Sequence, residues 1–108
     1  MSVGLNPSQF MKNSGVPVIL PVKISHQHEP HRVRPGCICE ISTKGAKLMK
    51  LDGINEGDVL WISRHTRRAK FKVAWIGQPG SELEGKIGVE LLEPEKFIWD
   101  DELRAKIA

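Results

Sequence analysis

Long apolar runs are missing from this 108-residue chain, and that absence is informative. The longest, over residues 16–22, is far too short to cross a bilayer and holds Pro17 and Pro21. No basic leader precedes it and no small-residue cleavage site follows, so no secretory signal is expected. Cysteine is scarce too. Cys37 and Cys39 are too few and too close together to staple a fold, so free thiols packed as small buried side chains are expected. Only 6% of the residues are aromatic, which leaves little material for stacking nucleobases. No phosphate-loop or nucleophile-elbow motif occurs, and no βαβ alternation, so neither an enzyme nor a Rossmann-like nucleotide fold is expected. A cytoplasmic, soluble, single-domain protein without membrane insertion is the expectation that remains.

What is present is a series of short strands. Val16, Val18, Leu20, Val22 and Ile24 alternate, with Pro17 and Pro21 on the other face removing two ladder donors; this predicts an edge or seam strand. Residues 36–41, 46–51, 59–63, 68–76 and 86–92 supply five more strands, separated by turn-rich segments. The fourth has apolar residues on both faces and is expected to be well buried. In the fifth, Ala69, Phe71, Val73 and Trp75 are expected to face inward, with Arg68, Lys70 and Lys72 outward. Asp100, Asp101 and Glu102 followed by Leu103 and Ile107 predict a short closing helix. The expected architecture is all-β: a six-stranded antiparallel barrel over 16–99, a flexible arm over 1–15 and a C-terminal helix over 100–108.

The net charge of +3 is unevenly spread. Arg64, Arg67, Arg68, Lys70 and Lys72 crowd one hairpin without an acid, while Glu93, Glu95, Asp100, Asp101 and Glu102 mark the end. Such a division points to an anionic partner at one place rather than a generally cationic protein. His26, His28 and His31 with Cys37 and Cys39 raise the question of zinc. The Cys-x-Cys spacing lacks the usual gap of two to four residues, and no metal site is expected.

The segment Glu40-Ile41-Ser42-Thr43-Lys44-Gly45-Ala46 resembles the hallmark of the PilZ domain family, an Asp/Asn-x-Ser-x-x-Gly motif between two strands, with Glu in place of Asp or Asn. Gly57-Asp58-Val59-Leu60 is similar to the family's entry to its next strand. The stretches 73–77 and 85–94 are similar to its closing hairpin, and Phe97 and Trp99 fit beyond them. The likeness covers roughly 16–99. It implies a PilZ-like barrel in a bacterial signalling pathway, with cyclic di-GMP as the implied ligand and no cofactor otherwise.

In ligand-binding members an Arg-x-x-x-Arg motif ahead of the first strand clamps the nucleotide. Arginine suits this because its planar fork makes paired bonds to phosphate or guanine. Here the corresponding stretch, 10–17, holds Lys12 and no arginine. If cyclic di-GMP binds, the resemblance assigns Glu40, Ser42 and Gly45 to the pocket, with Lys12 closing from the arm. Arg32 and Arg34, which share a face if extended, are the second-choice phosphate contacts. Ser42 and Gly45 also serve the turn itself, one as a hydroxyl cap and the other as a residue free to take positive φ. The preferred reading is an adaptor that contacts a protein partner, with Arg64, Arg67 and Arg68 as contact points. A direct cyclic di-GMP receptor with a rebuilt clamp comes second, and a small basic barrel binding nucleic acid comes last.

Overall fold

The computed structural model describes residues 15–93, 98 and 99. The expected arm, including Lys12, lies outside these residues except for Gly15, as does the expected helix over 100–108. Six strands form: β1 (Val16–His26), β2 (Arg34–Ile41), β3 (Gly45–Met49), β4 (Val59–Arg64), β5 (Arg67–Ile76) and β6 (Lys86–Leu91). They close into one antiparallel barrel in the order β1-β2-β3-β6-β5-β4. The predicted class, strand count and order along the chain are all present. Boundaries move by one to two residues, chiefly at β1, which runs on to His26, and at β2, which starts at Arg34.

Alternation drives the closure. Side chains on one face of each strand meet inside, where Ile24, Ile38, Ile41, Leu48, Leu60, Ile62, Phe71, Val73, Ile87 and Val89 are fully buried. β1 explains the prolines. Only Lys23 to His26 pair with β4, so the stretch holding Pro17 and Pro21 has a neighbour on one side alone, β2. The seam predicted from those two residues is there.

Antiparallel geometry sorts the connections between two ends. The upper end carries the start of β1, the 42–44 turn, the two-residue turn His65-Thr66 and the end of β6. The lower end carries the 27–33 connection, the start of β2, and the 50–58 loop that crosses from β3 to β4. Ile54 of that loop is buried and plugs the lower opening. Trp99 closes the upper one, stacked on Phe71 with ring centroids 5.1 Å apart and donating its indole N–H to the Ser42 carbonyl at 3.2 Å.

Three expectations need correction. β4 is not buried on both faces: Leu60 and Ile62 are, whereas Val59 and Trp61 are only half-covered on the barrel's outside. Trp75 does not face in. A register shift after Val73 pairs Trp75 with Gly88, while Val73 and Ile76 pair with the core residues Val89 and Ile87. Ala74 is the extra residue, and it turns Trp75 to the outer side of the sheet, where the indole, still buried, lies on the bare backbone of Gly88. The cysteines are half-buried on the outer side of β2 rather than in the core, and both are free.

Candidate functional site

The Ser42 turn is held by its own atoms. The Ser42 amide donates to the Gly45 carbonyl at 2.9 Å, and its hydroxyl oxygen accepts from the Lys44 and Gly45 amides at 3.2 Å each. The hydroxyl also lies 3.4 Å from the Gly45 carbonyl, and the side chain is buried. Ser42 therefore does in the fold what a turn-capping hydroxyl does, satisfying backbone donors that the tight connection would strand. Gly45 is a correction. Its φ is not positive, and the constraint is space: a Cβ there would overlap the carbonyl oxygen of Val89 on β6. The glycine lets β3 lie close on β6.

Glu40 sits two residues before Ser42 and pairs across the ladder with Lys47. The Lys47 ammonium is 3.3 Å from the Glu40 carboxylate, and both side chains are largely covered. On the other side the chain enters β1 directly over Glu40, since a Cβ on Gly15 would collide with that carboxylate. The same outer row continues through Gly88 to Trp75. Cys39, the extra residue of a bulge in β2, donates its thiol to the Lys47 carbonyl at 3.5 Å. Burial pushes the Cys39 thiol pKa up; Glu40 adds to this and Lys86 and Lys47 oppose it.

Arg32 and Arg34 are not part of this site. They lie at the lower end, and the length of β2 separates them from Ser42 by roughly 20–25 Å, at about 3.3 Å per strand residue. Arg34 donates to the Asp52 carbonyl at 2.5 Å, and Arg32 lies 3.7 Å from Glu29. Arg32 falls in the connection before β2, so the two do not form one extended face. Both arginines border a lower-end cavity with His26. His26 itself reaches the Gly53 carbonyl at 3.2 Å, and no group of three metal-ligating residues gathers among the described residues.

The basic hairpin lies at the upper end, like the Ser42 turn. Arg64 and Arg67 face each other across the ladder beside a tip in which His65 takes φ 57°. Arg64 reaches across the seam to the Pro21 carbonyl at 3.2 Å. Behind the tip, Trp61 lies under two cations, with the Arg68 guanidinium 4.1 Å and the Lys70 ammonium 5.1 Å from its ring centroid. Arg67, Arg68 and Lys72 are exposed.

Three features escaped the sequence reading: the parts played by Lys47 and Gly15, and the placement of Arg68 and Lys70 over Trp61. Lys47 was legible in principle, because a turn that pairs Ile41 with Ala46 must set Glu40 opposite Lys47. The other two depend on how strands pair or enter, which no local pattern records.

No protein-family model and no curated protein matches the chain. Among solved structures it is similar to the Bacillus subtilis inhibitor of motility, MotI/DgrA. The TM-score is 0.54 and the identity 21%, over 87% of this chain and 46% of that one. The chain thus spans less than half the length of that protein, and the likeness establishes a shared fold.

Proposed function

We propose that this chain is a PilZ-like signalling module of a cyclic di-GMP pathway that works by contacting a protein partner, with no chemistry of its own. The observation that carries this reading is the β4–β5 hairpin. Trp61 lies half-covered beneath Arg68 and Lys70, next to exposed Arg67. Aromatic and arginine side chains of this kind are the usual anchors of protein contacts. The nucleotide side of the motif is by contrast occupied. Ser42 serves its turn, Glu40 is matched by Lys47, and Arg32 and Arg34 stand at the far end.

A second reading, a direct cyclic di-GMP receptor, draws on one observation: the chain enters β1 over Glu40, so Lys12 lies only three positions upstream of that contact. Nucleic-acid binding is disfavoured, because Arg68 and Lys70 already cover a face of Trp61 that a base would need. No helix among the described residues is long and apolar enough to cross a membrane.

The test compares partners retained by the native chain and by an R67E/R68E variant. The adaptor reading expects a partner lost on charge reversal and unaffected by added nucleotide. An identical set on both, or retention that needs cyclic di-GMP, overturns it.

A further inference from the structure

The cations of this barrel are not all matched within it. Arg32 lies against Glu29 and Lys47 against Glu40, while Arg34 and Arg64 bond the Asp52 and Pro21 carbonyls. Lys23, Arg68, Lys70 and Lys72 differ: among the described residues, none of the four forms an ion pair.

Strand register gathers these four on one face. Lys23 stands opposite Ser63 and Ser63 opposite Arg68, while Trp61 stands opposite Lys70 and Val59 opposite Lys72. Opposed residues of antiparallel strands share a face, and the residues between these, such as Leu60, Ile62, Ala69 and Phe71, are buried in the core. None of β1, β4 and β5 contains an acidic residue. The basic face ends only at Glu90 of β6, opposite Lys72. With a net charge of just +3 on the whole chain, this concentration is local, and it attracts an acidic partner to one place.

Trp61 fixes two of the cations. The Arg68 guanidinium and the Lys70 ammonium lie 4.1 Å and 5.1 Å from the centroid of the same ring. The ring attracts both, yet the two like charges repel each other, and carboxylates set against them would relieve that repulsion. An aromatic face accepts a cation without saturating its N–H donors, so both groups keep donors for carboxylates. Side chains already held in place lose less freedom on binding.

Spacing sets the form of the partner. Arg68, Lys70 and Lys72 are alternate residues of one strand, about 6.7 Å apart along it. Alternate side chains of an extended peptide repeat at the same interval. An amphipathic helix would need an apolar groove for its stripe, and here the indole is covered by cations.

We propose that the partner docks on this face through an extended acidic segment, its carboxylates at every second position set against Arg68, Lys70 and Lys72. Lys23 reinforces the field beside Arg68. The proposal rests on the adaptor reading and deepens it, naming what the hairpin contacts and extending the surface across the seam to β1.

The experiment titrates the full chain with two end-blocked heptapeptides of one composition, Glu-Thr-Glu-Thr-Glu-Thr-Thr and Glu-Thr-Thr-Glu-Thr-Thr-Glu, following backbone amide resonances. The first should shift the amides of Lys23 and of residues 68–72. It should bind about threefold or more tightly than the second, which cannot set three glutamates on one face. Arg68→Glu should weaken the first peptide about tenfold or more. Arg32→Glu makes the same charge change at the lower end and should leave affinity within about twofold. Equal affinity for the two peptides, an equal loss in the two variants, or no shift at these amides overturns the proposal. So does tighter binding of an oligothymidylate or of phosphatidylserine vesicles, either of which would make another class of partner the occupant. The adaptor reading fails separately: it stands as long as R67E/R68E loses its partner, whichever peptide binds.

Discussion

Lys47 holds Glu40 across the β2–β3 ladder, ammonium to carboxylate at 3.3 Å, just behind the turn that Ser42 and Gly45 shape. The pair matters because Glu40 is the acidic residue of the PilZ-like motif. A carboxylate already matched by a neighbouring cation and covered by the entering chain has little left to offer a guanine edge.

The coupling between these two residues can be measured. Glu40→Gln, Lys47→Gln and the double variant should give an interaction of about 1 kcal/mol in urea unfolding, toward the upper end of what surface pairs show because both groups are largely covered. A coupling indistinguishable from zero would mean that the pair does not hold Glu40.

Gly45 and Gly57 should respond differently to alanine. At Gly45 the new methyl meets the Val89 carbonyl, and β3 must move off β6, at a cost of about 2–3 kcal/mol. At Gly57 nothing lies within 4 Å, and only the backbone at φ 91° objects, at about 1–2 kcal/mol. Urea midpoints would rank the two variants, and the reverse order would contradict the close approach of β3 and β6.

The contrast shows what the sequence could carry. Alternation along 16–24 and 69–73 named the inward faces, and two prolines named the seam, because both are local consequences of a two-residue period. The turn at Ser42 was equally local. Ala74 was not: one extra residue in β5 reverses Trp75, and nothing near it distinguishes a bulge from continued alternation. The reason for Gly45 lies on β6, about 45 positions along the chain. Arg32 and Arg34 were placed near the motif by proximity in sequence, yet an extended strand carries residues apart faster than any other element.

Ser42→Ala should cost about 1–2 kcal/mol, since it strands the Lys44 and Gly45 amides at a buried turn. Trp99→Phe should cost about 1 kcal/mol or more by leaving the Ser42 carbonyl without the indole donor. Chemical denaturation of each checks both values. A Ser42→Ala variant as stable as the native chain would show that the hydroxyl is not needed for the fold.

The half-buried Cys39 thiol gives a pH signature. Its folded pKa lies above the unfolded value, so the native state holds this proton where the unfolded chain has released it. Its contribution is fully present below the unfolded pKa of about 8.5 and is lost as pH rises through the folded value. Cys39→Ala should therefore flatten the alkaline decline in stability, and alkylation at Cys39 should stay slow at pH 8. Rapid modification of native Cys39 at pH 7, located by mass spectrometry, would contradict the burial.

The most direct measurement is thermal unfolding of the full chain with and without millimolar cyclic di-GMP, confirmed by calorimetric titration. A ligand at one hundred times its dissociation constant stabilises the native state by about 2.7 kcal/mol, a shift on the order of 10 °C for a domain of this size. The adaptor account predicts an unchanged midpoint and no heat of binding. A shift of that size, removed by Glu40→Gln, would contradict it and make the chain a nucleotide receptor.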